Sequence, residues 1–171
     1  DSATYVNLAL SYEIPFGKGK TWGTHMNAVA NALIGNWQAN GILTLRTGQP
    51  FTLRSNGCQG IWNACRPDLV PGQDPQAAPS GGRNPDKWFN TAAVVAPASL
   101  TGGNLGLQSN TGPAGRTLDF SLFKDFAFTE RIKLQFRAEG TNVANTPQFS
   151  IPDNNRQNAT FGRVTSTGSG T

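Results

Sequence analysis

Long hydrophobic runs are missing from this chain, and so are most of the residues from which active sites are built. No segment approaches the roughly 18 to 20 consecutive apolar residues of a membrane-spanning helix, which excludes a helical span and nothing more. Histidine occurs once, as His25, and cysteine twice, as Cys58 and Cys65. So few ligands make a zinc site unexpected, and no metal or other cofactor is anticipated. No serine sits in a G-x-S-x-G elbow, and the Gly-rich GGNLG at 102–106 lacks the Lys-Ser/Thr pair of a phosphate loop. The net charge of +4 is spread thinly, with GKGK at 17–20 as its densest cluster. Without an aromatic RNA-binding motif beside it, nucleic acid is not an expected partner. The opening DSATYVNLAL lacks the basic start and apolar run of a secretory signal, so the expectation is an internal or C-terminal piece of a longer chain.

What the chain does contain is glycine (20) and proline (11) in excess of an ordinary domain, with only 37% hydrophobic residues. Its apolar residues gather in four segments that alternate with the period of a strand. Arg131 to Glu139 shows it best: Ile132, Leu134, Phe136 and Ala138 on one side, Arg131, Lys133, Gln135, Arg137 and Glu139 on the other. In TYVNLALSYE, Val6, Leu8, Leu10 and Tyr12 oppose Asn7, Ala9, Ser11 and Glu13. In NWQANGILTLR, Trp37, Ala39, Leu43 and Leu45 oppose Gln38, Asn40, Thr44 and Arg46, with Gly41 and Ile42 blurring the contrast. In TLDFSLFKDFAF, Leu118, Phe120, Leu122, Phe126 and Phe128 share a side that Lys124 interrupts.

The expected fold is therefore all-β: an antiparallel meander of about four long strands, near residues 5–13, 37–46, 118–128 and 132–140, with one very long loop over 55–116. Residues 1–171 read as a single partial domain. Each segment has about the 9 to 11 residues that a tilted strand needs to cross a bilayer, where strands of soluble sheets average 5 or 6. Tyr12, Phe16, Trp22 and Trp37 fall near strand ends, where an interfacial aromatic girdle would sit. The connections are unequal, a short turn at Thr129 to Arg131 against the long loop, as in outer-membrane barrels. A turn centred on Glu130 predicts Phe128 opposite Ile132, Phe126 opposite Leu134 and Lys124 opposite Phe136, with Lys124 snorkelling at the rim. MNAVANALIG at 26–35 reads equally well as a short helix or a mobile turn. The apolar side of 132–138 should be hidden by lipid, by protein or by self-association of the chain.

Taken in order, YEIPFGKGK, GNWQANGILTLRTGQPFTL, RPDLVPG, WFNTAAVVAP, GNLGLQSNTGPAGRTLDFSLFKDFAFTERIKLQFRAEGTNVANTPQF and FGRVTSTG form a series. It resembles the C-terminal part of TonB-dependent receptors of the Oar-like, carboxypeptidase-regulatory-domain-containing group, over nearly the whole chain. The resemblance implies a large transmembrane β-barrel of about twenty-two strands around a plug, in the outer membrane of a Gram-negative bacterium. Its implied partners are membrane lipid, the rest of the barrel, an unidentified ligand and an inner-membrane energy-coupling complex. The plug and the energy-coupling box of that family, and a final aromatic-ended strand, have no counterpart here. A soluble β-sandwich binding carbohydrate or another surface ligand is the alternative, and a hydrolase the third.

Individual residues add little chemistry. Asn142, Asn145 and Thr146 in GTNVANTPQF suit a turn closed by Pro147 better than a catalytic cluster. A hydrolase would rest on His25 alone. Asp119 and Asp125 lie about 20 Å apart along a strand, too far for paired catalytic carboxylates. No catalytic residue is assigned. Trp88, Phe89 and Trp62 are candidates for stacking a sugar or peptide ligand, the alternative being that such aromatics anchor the loop. Cys58 and Cys65, close together in CQGIWNAC, are expected to form a local disulfide, with two free thiols as the alternative.

Overall fold

The computed structural model describes residues 2–56, 65–127 and 132–168. Its contacts divide the chain into two compact units, Val6–Leu45 with Arg116–Thr146, and Asp1–Tyr5 with Arg46–Gly115 and Pro147–Thr171. In chain order the elements are β1 (Tyr5–Glu13), α1 (Ala28–Ile34), β2 (Trp37–Arg46), β3 (Pro50–Phe51), β4 (Asp68–Leu69), β5 (Val94–Val95), β6 (Asn110–Thr111), β7 (Gly115–Ala127) and β8 (Lys133–Gly140).

The four alternating segments become the four long strands of one sheet, in the order β1-β2-β7-β8. Hydrogen bonds join Ile14 N–H to Trp37 O (2.8 Å) and Thr47 N–H to Thr4 O (3.0 Å), so β1 and β2 run antiparallel. β7 pairs antiparallel with β8, Lys124 opposite Phe136 and Phe126 opposite Leu134, which is the register expected from a turn centred on Glu130. The turn itself and the Phe128–Ile132 pairing lie outside the described residues. β7 starts at Gly115 rather than near 118, and reaches 13 residues.

Exposure follows from the alternation. Leu8, Leu10, Tyr12, Phe120, Leu134 and Phe136 are all exposed, Leu10 to 70%. The expectation that Ile132, Leu134 and Phe136 are hidden is not met by the described residues, which leave them 60%, 55% and 48% exposed. Each such side chain left in water forgoes about 1.5 to 3 kcal/mol of burial. Lys124 departs from its expected place as well. It does not snorkel at a rim but is 2% exposed, its ammonium donating to Gly35 O and lying 4.9 Å from the Trp37 ring centroid and 5.2 Å from that of Phe126.

MNAVANALIG resolves as a helix. Asn27 caps α1, its side chain accepting from Ala30 N–H at 2.7 Å, so a donor that the first turn cannot satisfy is satisfied locally. Gly35 ends it: a Cβ there would stand 2.4 Å from Asn31 Oδ1 and 2.8 Å from Asn31 O.

The long connection between β2 and β7 has a core of its own. Phe51, Leu53, Phe89, Val94 and Leu105 are buried together, with Leu69, Trp88 and Phe161 packed against them. Two short pairings staple it, β3 with β6 and β4 with β5, both antiparallel. The segment after Pro147 joins the same unit, Arg54 N–H donating to Asn154 O (2.8 Å) and Trp88 N–H to Gly162 O (2.9 Å).

Candidate functional site

The polar side of the sheet is where side chains capable of chemistry converge. Because β-strand residues alternate, the odd positions of β1, β7 and β8 and the even positions of β2 share it. Lys20, from the connection after β1, pairs with Glu13 at 2.5 Å. Gln38 Nε2 donates to Ser11 Oγ (3.0 Å) and Asn40 Oδ1 (3.3 Å), and Gln135 Nε2 donates to Asp125 Oδ1 (3.0 Å). Arg137 pairs with Glu139 and lies 5.0 Å from the centroid of Phe123, its partner across the strands. These groups are solvated, so each ion pair contributes little stability. Their effect is to make this side wet.

A cleft of about 350 Å³ opens on it, lined by Glu13, Lys20, Asn36, Trp37, Gln38, Phe123, Asp125 and Lys133. Two cations, Lys20 and Lys133, and two carboxylates, Glu13 and Asp125, line it. It therefore favours polar, hydrated species and no single sign of charge. Among the described residues that line it there is no Ser, Thr, Cys or His.

Of the residues singled out from sequence, Asp119 meets the 142–146 turn. His25 is exposed in the connection ahead of α1. Asp119 accepts from Asn142 N–H (2.8 Å) and Asp125 from Gln135, so each carboxylate has a separate structural partner. Asn142 and Asn145 both take the left-handed conformation, φ 47° at each, and Asn142 bonds Thr146 through its Nδ2 (3.0 Å) and Oδ1 (3.1 Å). GTNVANT is thus a turn. Phe89 is 3% exposed within the core of the long connection, its ring edge-on to Phe161 at 5.2 Å. Trp88 is half-buried, its indole N–H donating to Thr111 O at 3.0 Å. Both serve packing in this structure.

Trp62 and Cys58 lie outside the described residues. Cys65 is buried, its Sγ 2.8 Å from Ser55 O. GGNLG packs closely: a Cβ on Gly103 would stand 1.9 Å from Arg66 O, while Asn104 bonds Leu69 N–H (2.7 Å) and Asp68 Oδ1 (2.8 Å). Among the described residues no three His, Cys, Asp or Glu side chains gather as a metal would require.

Sequence reading placed Gln38 on the polar side of its strand without a partner, and passed over Lys20, which comes to that side from a connection. The charge of Lys20 within GKGK was the available signal, but its pairing with Glu13 depends on how the chain returns. A family profile described as an outer membrane beta barrel domain matches residues 1–171. No curated protein and no solved structure matches.

Proposed function

From the premise that the chain belongs to the outer membrane β-barrel domain family, we propose that it supplies wall strands of a TonB-dependent receptor that captures a ligand at its loops and admits it through a gated lumen. The protein is an outer-membrane protein of a Gram-negative bacterium. One observation supports the wall reading above the others: a sheet whose apolar side exposes Leu8, Leu10, Tyr12, Leu134 and Phe136 and whose other side is solvated and charged. Lipid suits the first side and a water-filled lumen the second. A β-sandwich would cover the apolar side with a second sheet, and the exposed Leu10, Leu134 and Phe136 weigh against it.

The receptor reading rests on the order of segments along the chain. In it the polar cleft lies on the ligand's path, and the long connection, with Trp62, belongs to the capture surface. The test is binding of the full-length protein, in detergent, to the purified C-terminal domain of the energy-coupling protein TonB. Complex formation at micromolar concentration is expected. A folded barrel that binds none of it at that concentration rejects the receptor reading and leaves the outer-membrane barrel intact.

A further inference from the structure

The connection between β1 and β2 holds features that a barrel wall does not need. α1 has only seven residues, too few to be stable on its own. It nevertheless exposes Val29 to 70%, Leu33 to 68% and Ile34 to 55%, the first two one turn apart on one face. Ahead of it Phe16 and Trp22 pair with ring centroids 5.3 Å apart, Trp22 itself 55% exposed. Lys18, between them, is exposed too.

The carboxyl end of α1 is fastened to the apolar side of the sheet. Trp37 donates its indole N–H to Leu33 O at 3.0 Å, and the buried ammonium of Lys124 donates to Gly35 O. Those two carbonyls belong to the end of a helix whose last turn lacks internal partners, where a cation is also favoured by the helix dipole. Trp37 meets Phe136 edge-on at 6.0 Å, so the apolar surface of the helix end continues into that of the sheet. The strand ends Glu13, Trp37, Ala127 and Lys133 share one end of the antiparallel sheet. Short connections such as 128–132 mark the periplasmic end of outer-membrane barrels.

Resting on the barrel-wall reading, we propose that α1 and the Phe16–Trp22 segment form an interfacial anchor that lies on phospholipid of the periplasmic leaflet, with Lys124 as its tether. The apolar helix face enters the headgroup boundary, the aromatic pair sits at headgroup level, and Lys18 meets anionic phosphate. Continuity with the lipid-facing side of the sheet is what identifies lipid as the occupant.

The experiment places the photoreactive residue p-benzoylphenylalanine at Leu33, and separately at Leu10 on β1, in the full-length protein in living cells. Phospholipid adducts are expected at both positions. Lipid captured at 10 but protein or nothing captured at 33 overturns the anchor alone, and lipopolysaccharide at 33 overturns its leaflet. Absence of lipid at 10 sinks the wall reading itself. In the Leu33-labelled protein, Lys124→Met should lower the phospholipid adduct about five-fold while heat-modifiable gel mobility persists, and Lys124→Arg should restore it. An unchanged yield removes Lys124 from the tether. If Lys124→Met does not assemble, Trp37→Phe removes the indole donor with its fused ring, keeps an aromatic at the position, and must lower the adduct in the same direction.

Discussion

Lys124 shows how far a single side chain can depart from the pattern around it. On sequence it breaks an apolar face and ought to reach for water along its stem. In the structure it turns inward and serves the carbonyl of Gly35, a group 89 residues away. Asp153 is a second case. It accepts from the Thr160 hydroxyl, from Asn155 N–H (3.0 Å) and from Asn158 Nδ2 (3.1 and 2.9 Å). Burial pushes its carboxyl up, but these donors together hold it below the ordinary carboxylate value. A lowered folded value means that the stabilisation is complete above the unfolded pKa and fades as pH falls through the folded one. Thermal unfolding should therefore separate the protein from Asp153→Asn at neutral pH and bring the two together in strong acid; a gap that widens with acid would contradict this sign. Cys58 and Cys65 are expected to be bonded to each other. Denaturing alkylation without reductant should modify neither, and labelling of both would disprove the bond.

At the scale of the element, the β7–β8 hairpin was legible because two alternating segments with a short connection have few registers available, and a slip of one residue would invert every side chain. Phe120 and Ser121 are neighbours on β7 with opposite directions. Phe120→Lys should cost about 2 to 4 kcal/mol in folding into lipid vesicles, and Ser121→Lys close to nothing, because only the first charge enters hydrocarbon. Equal costs, read from urea titrations, would remove the distinction between the two sides. α1 was only half legible. Its alanines favour a helix, but seven residues depend on anchoring, here supplied by Trp37 and Lys124 from elements on either side of the long connection.

For the whole molecule, the exposed apolar side of the sheet predicts that the protein stays dispersed only with detergent or lipid. Sedimentation velocity should show large assemblies once detergent is withdrawn, and a monodisperse monomer in plain buffer would refute a lipid-facing wall. The alternation of TYVNLALSYE, TLDFSLFKDFAF and RIKLQFRAE by itself determined the strands, their two faces and the pairing of β7 with β8, because a period of two and a short turn are local properties. Three things were decided only by the tertiary structure. One is the pairing of β2 with β7 across the long connection. Another is the use of Phe89 and Trp88 in the core of that connection rather than on an open surface. The last is the burial of Lys124 beneath the end of α1. Each depends on partners far away in the chain, and the energy of such contacts leaves no periodic mark on the residues that make them.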